Sequence, residues 1–402
     1  MSVTLEMIQA ARDRIGPVIY HSPCPYSLSL SRLCGCEIYC KLDHLQMTGS
    51  FKERGARNKL MLLTESQRKA GVIAASAGNH ALGLAYHGQE LGIPVTVVMP
   101  RWAPLVKVRN CREFGANVLM DVESFDQAYS RAKELAAEKG LVFVPGFDDE
   151  QIIAGQGTCG LEIIEDVPDL DAVIVPVGGG GLLAGVGTAI KALRPRVQVI
   201  GVEAENAPTL EVSIRKGEVT SIDARPTLAD GLAVAKVGKL CFEIIPKVMD
   251  RLVMVDEAEI ARSVLRLLEL EKMAVEGAGA VSLAGALHPS LNLAGKKVVL
   301  LLSGGNIDVT MIAGVIERGL AKEGRLCRVH ALINDRPGGL ARLLNVIAAT
   351  GANIKEVSHD RNFAPPNVGF VSVTCIMHTR DASHIAEVHQ ALRDAGVEVR
   401  PE

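Results

Sequence analysis

The sequence predicts a protein in two parts, a large unit of parallel α/β architecture followed by a small α+β unit. Short apolar runs alternate with helical stretches through most of the chain, the pattern of strands buried on both faces and joined by crossover helices. Beyond residues 322–326 the order becomes β-α-β-β-α-β, which is ferredoxin-like. With 402 residues, 48% of them hydrophobic and 22% charged, the chain is long enough for two or three units, each with its own core.

The elements follow in order. MSVTLEMIQAARDRI reads as an amphipathic helix and lacks the basic leader and apolar stretch of an export signal. Residues 71–75 (GVIAA), 95–99 (VTVVM), 117–120, 172–177 (AVIVPV), 197–202 (VQVIGV) and 297–302 (KVVLLL) are expected strands, and residues 124–139 and 258–272 expected helices. The polar, glycine-containing end of residues 313–325 puts a boundary near 322–326, giving units 1–322 and 327–402. In the second unit, 327–334, 353–359, 368–378 and 397–400 are expected strands, and 337–350 and 382–395 expected helices.

Composition narrows the function. Forty-three Lys and Arg against 46 Asp and Glu leave a net charge of −3, so no global field draws nucleic acid or an anionic membrane. Apolar runs such as residues 298–302 are far short of the roughly 20 residues of a spanning helix. Recognition is therefore local, in a pocket, and the location expected is the cytoplasm. Nine cysteines suit reduced thiols better than a disulfide framework. Cys24, Cys34, Cys36 and Cys40 crowd together without the paired CxxC spacing of a zinc site; buried small apolar residues are the preferred reading.

Three glycine-rich or small-residue segments follow strands and open helices. Gly178, Gly179, Gly180 and Gly181 lie between DAVIVPV and LLAGVGTAI, where converging backbone N–H groups and the helix dipole favour a phosphate. Ser76-Ala77-Gly78-Asn79-His80-Ala81 forms a second anion cradle after GVIAA, and Ser303-Gly304-Gly305-Asn306 ends KVVLLL. Lys52, within Ser50-Phe51-Lys52-Glu53-Arg54-Gly55-Ala56, opens a helix, an uncomfortable place for a cation. Gly179, Gly181 and Ala184, with Glu203 about 20 residues on, also fit the dinucleotide fingerprint, so a nicotinamide-dependent dehydrogenase is a rival reading. Two cradles, a lysine and a terminal serine suit a phosphorylated cofactor bound to lysine, with an amino-acid carboxylate held opposite.

SFKERGA, SAGNHA, GGGGL and SGGN, in that order and spacing, resemble the serine/threonine dehydratase family of pyridoxal-phosphate enzymes. The resemblance spans essentially the whole chain. It implies a tryptophan-synthase β-like, fold-type II large unit of two α/β lobes. Residues 327–402, with Asp335-Arg336-Pro337-Gly338-Gly339-Leu340 and Gly351-Ala352-Asn353-Ile354, resemble an ACT domain, a small amino-acid sensor. By resemblance, Lys52 carries pyridoxal 5'-phosphate and serves as general base, and Phe51 packs by its ring. Gly178, Gly179, Gly180, Gly181 and Leu182 hold the phosphate, Asn79 the ring's phenolic oxygen, and Ser303 the pyridine nitrogen. Ser76, Ala77, Gly78 and Asn79 receive the substrate carboxylate. An amino-acid effector is expected at Asp335, Pro337, Gly338, Gly339, Asn353 and Ile354, in a homodimer or homotetramer.

The activity so implied is deamination of threonine, or of serine by the same route. A serine racemase or serine dehydratase is the alternative within the fold, and a catalytically idle sensor is a third reading, opposed by Lys52 and Ser303. Two departures from the family stand out. Leu82 replaces a glutamine and is expected to alter the pocket wall. Thr209 replaces the aspartate that, with residues matching Glu203 and Ala207, holds a divalent ion in some relatives, so no metal is expected.

Overall fold

The computed structural model describes residues 2–103, 105–361 and 369–400. The chain forms two compact units, Met1–Ile307 and Asp308–Glu402.

The larger unit holds two sheets. One has six strands in the order Tyr26–Ser27, Glu37–Lys41, Lys297–Leu301, Ala172–Pro176, Gln198–Ala204, Arg251–Val255; all neighbours are parallel except the first pair. The other has four parallel strands, Asn117–Val122, Val95–Pro100, Val72–Ala75 and Val142–Phe143. Central strands such as Ala172–Pro176 are buried along their whole length, because helices cover both faces. Val142–Phe143 and Arg251–Val255 join without a sequence signal: the first is two residues long and the second, at a sheet edge, is fully buried at only two positions.

Small residues bring two helices into backbone contact beneath the site. A Cβ on Gly185, in helix Gly181–Leu193, would lie 2.4 Å from the Ile153 carbonyl oxygen and 2.6 Å from the Gly157 nitrogen of helix Glu150–Asp166. Any side chain there would push apart the helix whose first turn is the glycine loop. The helix expected at 124–139 is Phe125–Lys139, opened by the Ser124 hydroxyl on the Gln127 N–H. The helix expected over 258–272 is interrupted. Glu257–Arg266 is α-helical, Leu267–Glu271 is one π-helical turn, and Lys272 closes it with φ +60°.

In the second unit the strands Asn353–Asp360, Phe370–His378, Leu326–Asn334 and Glu398–Arg400 form an antiparallel sheet in that spatial order, with helices Gly339–Ala349 and Ala382–Asp394. The expected strand start at Val368 lies outside the described residues. Leu343, Ile347, Val373, Cys375, Val388 and Leu392 belong to its core. The division falls after Ile307 rather than near 322–326, so helix Val309–Lys322 groups with this unit. The reason is packing: Val315 and Gly319 are buried, and Glu317 pairs with Lys355 of strand Asn353–Asp360. Among the described residues no helix is long and apolar enough to cross a membrane.

Candidate active site

Lys52 is placed by the strand that precedes it in space. Strand Lys297–Leu301 runs into Ser303, whose carbonyl accepts the Phe51 N–H at 3.0 Å, and Ser50 bridges to Gly304. Helix Lys52–Met61 therefore starts beside the strand end. The Lys52 ammonium donates to the Gly146 carbonyl at 2.7 Å and lies 5.1 Å from the centre of the Phe51 ring. Among the described residues no carboxylate is within ion-pair distance of it. Burial lowers its pKa to about 8; only Glu276 opposes this effectively, since burial also keeps the Cys241 thiol protonated.

Residues 146 and 147 tie the lysine to both cradles. A Cβ on Gly146 would sit 3.6 Å from the His80 ring, and one on Gly179 would sit 2.3 Å from the Phe147 ring. His80 is neutral: burial, then Lys52, push it down to about 4, and its Nε2 meets the Val144 carbonyl at 3.1 Å.

Gly178 to Gly181 link strand Ala172–Pro176 to helix Gly181–Leu193. Gly180 has φ +92°, a conformation L side chains rarely adopt. A Cβ on Gly178 would come within 2.9 Å of the Leu232 backbone. The loop thus leaves bare backbone at a helix N-terminus, and Leu182 is buried behind it.

The second cradle lies between strand Val72–Ala75 and helix Asn79–Leu91. Ser76 Oγ accepts from the N–H groups of Gly78 and Ala81, both at 3.3 Å. Nothing lies within 4 Å of a Cβ placed on Gly78, so the loop faces open space. Ala77 is half-buried against the core of this lobe. Asn79 Nδ2 donates to Glu276 Oε1 at 2.7 Å, and its Oδ1 accepts from Asn306 Nδ2 at 2.9 Å. Ser303 is buried.

The structure thus gathers Phe51, Lys52, Ser76, Ala77, Gly78, Asn79, the four glycines, Leu182 and Ser303 around one region of the large unit. Glu276 is absent from the residues expected above, and Gly146, Phe147, His80 and Asn306 had no expected role. The last two lay inside motifs already noted; Glu276 announces itself only as one charge before the small apolar run GAGAVSLAGA. Leu82 is not a pocket wall: it is buried with Ala81, Leu84 and Val97 in the lobe's core.

Glu203 is turned away from both roles suggested for it. Its Oε1 accepts from Thr209 Oγ1 at 2.9 Å and Leu210 N–H at 2.7 Å, and Oε2 from Glu211 N–H at 3.0 Å. Burial raises its pKa to about 7 despite these bonds. It is a remote cap for helix Thr209–Lys216, fully buried with both oxygens engaged, and the nicotinamide reading loses its acidic residue.

In the second unit the six candidate regulatory residues do not meet. Gly338, φ +87°, caps helix Gly339–Ala349, and Asp335 pairs with Arg361 at 3.0 Å; Pro337 and Gly339 complete that loop beside Asn334. Asn353 and Ile354 lie at the other end of the sheet. Asn334 pairs with Phe370, whereas Asn353 pairs with His378, and those strand ends are roughly 27 Å apart at about 3.4 Å per residue. The sequence-near motifs are separated because strands Leu326–Asn334 and Asn353–Asp360 run in the same direction, both antiparallel to Phe370–His378, and helix Gly339–Ala349 carries the chain back from the end of one to the start of the other.

A glycine-lined helix start, an amine of lowered pKa and an open small-residue loop fit pyridoxal phosphate: a phosphate for the glycines and an aldehyde for the amine. The chain matches, over residues 15–304, the family described as pyridoxal-phosphate dependent enzyme, and it belongs to that family. It is thus a pyridoxal-phosphate-dependent enzyme, and its larger unit has the fold-type II, tryptophan-synthase β-like architecture.

Among individual relatives, it is 48% identical over 398 residues to the L-threonine ammonia-lyase of Thermotoga maritima, covering 99% of each chain. The processed form of threonine deaminase isoform 2 from Solanum lycopersicum superposes with a TM-score of 0.75 at 35% identity, over 78% of this chain and 92% of that one. Serine racemase from Dictyostelium discoideum gives 0.73 at 37% identity, over 77% of this chain and all of that one. The family match ends before the second unit, whose antiparallel sheet with helices Gly339–Ala349 and Ala382–Asp394 is compatible with an ACT-like domain.

Proposed function

We propose that this protein is a threonine ammonia-lyase, converting L-threonine to 2-oxobutanoate and ammonia, and L-serine to pyruvate by the same route. The observation that carries the reading is the Lys52 amine, half-buried without a carboxylate partner among the described residues and weakened to about 8, beside a bare helix N-terminus. Pyridoxal phosphate, when bound, supplies an electron sink for negative charge developing at the substrate Cα. Lys52 would hold the cofactor and, as a free amine, would take the Cα proton at Nζ. The N–H groups of residues 178–181 bind the phosphate, and those of Ser76, Ala77, Gly78 and Asn79 receive the substrate carboxylate. Ser303 would offer the pyridine nitrogen a neutral hydroxyl, a weaker partner than a carboxylate, which suits elimination of the β-hydroxyl. Ala77 carries a methyl where racemases of this group carry a proton-bearing serine, and this supports elimination over racemisation.

The test is turnover of L-threonine by the purified holoprotein, with borohydride reduction and peptide mapping. The cofactor adduct is expected on Lys52, and D-serine is expected to form far more slowly than pyruvate. An adduct on another lysine, or no 2-oxobutanoate, would overturn the reading.

The proposal extends to a homo-oligomer, dimer or tetramer, working in the cytoplasm, without a divalent metal and under control by an amino acid. Catalysis is assigned to the larger unit, Met1–Ile307, and regulation to the smaller, Asp308–Glu402. Because Asp335 to Gly339 and Asn353–Ile354 lie at opposite sheet ends, a complete effector site takes one motif from each of two copies. Gly338→Val is expected to abolish the response of catalysis to isoleucine or valine, of about 5- to 150-fold in substrate affinity, while dehydration persists.

A further inference from the structure

Glu276 has no task in the chemistry proposed above, yet the fold goes to some length to deliver it. Helix Glu257–Arg266 gives way to the π-helical turn Leu267–Glu271, and Lys272 is the one non-glycine residue with positive φ among the described residues. Such departures cost energy and concentrate at functional sites. The chain then returns, with the Glu276 N–H on the Gly304 carbonyl at 3.1 Å. Glu276 stands at the N-cap of helix Gly277–Ala286, but its side chain makes no capping bond. It accepts from Asn79 Nδ2 instead, at 2.7 Å. Gly304 is small for this reason: a Cβ there would lie 2.2 Å from Glu276 Oε1.

An asparagine amide held on one side only can turn over, exchanging its oxygen and nitrogen. Asn79 is held on both sides, by an acceptor on Glu276 and by a donor on Asn306, whose Nδ2 also reaches the Thr48 carbonyl at 2.7 Å. Only one orientation satisfies both neighbours, and it leaves one Nδ2 hydrogen over. We propose that Glu276 is a positioning residue that, with Asn306, locks the Asn79 amide so that an N–H rather than a carbonyl oxygen meets the phenolic oxygen of the cofactor. This rests on the role given to Asn79 under the proposed function.

The lock is sensitive to protons. Burial, then the like charge of Asp230, raise Glu276 to about 7, against Lys107, which pairs with Asp230 at 3.0 Å, the Asn79 hydrogen bond and the Asn306 backbone N–H; Lys52 faces it as a cation only in the cofactor-free chain and below about pH 8. Below that pH the carboxyl gains an O–H, which can compete as a donor toward Asn79.

The experiment compares the full-length wild type with Glu276→Leu and Glu276→Gln. It reads the thermal midpoint and circular dichroism of each apoprotein, pyridoxal-phosphate affinity by titration, and the visible band of each holoprotein from about pH 6 to 9. Glu276→Leu is expected to bind the cofactor about tenfold more weakly, as loss of one charged hydrogen bond allows, with a shifted band and unchanged circular dichroism. Glu276→Gln, which keeps an acceptor oxygen, should recover affinity to within about threefold. The wild-type band should titrate near pH 7, and neither variant's should. Wild-type affinity and spectrum in Glu276→Leu would overturn the proposal. So would equal loss of affinity and apoprotein stability in both variants, the mark of a merely structural role. A wild-type chain that binds no pyridoxal phosphate would remove the proposed function itself, a result the variants cannot imitate.

Discussion

Lys52 and Arg54 sit two residues apart in the first turn of one helix, and the fold treats their charges in opposite ways. Arg54 is buried among carboxylates: its guanidinium spans Asp43 and Glu162 with four bonds of 2.6 to 2.8 Å and adds Thr158 at 3.1 Å. Lys41 completes the cluster, holding Glu162 at 2.8 Å and Asp166 at 2.9 Å. Burial alone would weaken the Arg54 cation, but Asp43 and Glu162 outweigh it and hold its pKa well above the usual value. Lys52 has one carbonyl and a glutamate at a distance, so burial wins and the pKa falls. Burial makes a cation structural or reactive according to whether carboxylates are buried with it. The paired residue anchors the turn on which the unpaired one works.

The contrast can be broken most sharply at Lys52. Lys52→Ala should lower threonine turnover by about 10³-fold or more while leaving apoprotein stability to urea unchanged or slightly higher, since a poorly solvated ammonium is removed. A clear loss of stability would show that Lys52 too is structural.

Arg54→Ala should show the reverse emphasis. Leaving Asp43 and Glu162 buried and unpaired costs about 3 to 5 kcal/mol in urea unfolding, and Arg54→Lys should restore less than half, because an ammonium lacks the planar fork. Wild-type stability in Arg54→Ala would dissolve the distinction.

Acid sharpens the same point. Burial raises the Asp43 carboxyl, but Arg54 outweighs it, and its pKa falls from 3.8 to about 2. Its contribution is therefore present above about pH 4 and lost as pH falls through about 2, on the order of 2 kcal/mol. Unfolding measured across that range should show this loss in wild type and not in Arg54→Ala.

The smallest effect is kinetic. The amine attacks as the neutral form, so attachment of pyridoxal phosphate to the apoprotein should quicken about tenfold per pH unit below pH 7 and level off above about 8. Attachment that keeps accelerating up to about pH 10, as for an ordinary lysine, would refute the lowered pKa.

The sequence by itself determined a great deal here. Strands buried on both faces write continuous apolar runs such as AVIVPV, and anion cradles write glycines between a strand and a helix, so the sheets, the loop at 178–181 and the helix opening at Lys52 were all local signals. The partnerships are not local. Glu203 looks in sequence like the acidic residue of a dinucleotide site and proves to cap a helix; Leu82 looks like pocket lining and packs in the core. Glu276 comes to Asn79 across 197 positions of chain, through a π-turn that periodicity reads as plain helix. The regulatory motifs, close in sequence, are carried to opposite ends of a sheet by the helix that joins two strands of like direction. Hydrophobic period and turn chemistry act over a few residues and are legible there. Hydrogen bonding and charge compensation depend on which distant groups burial brings together, and that is settled only when the chain has packed.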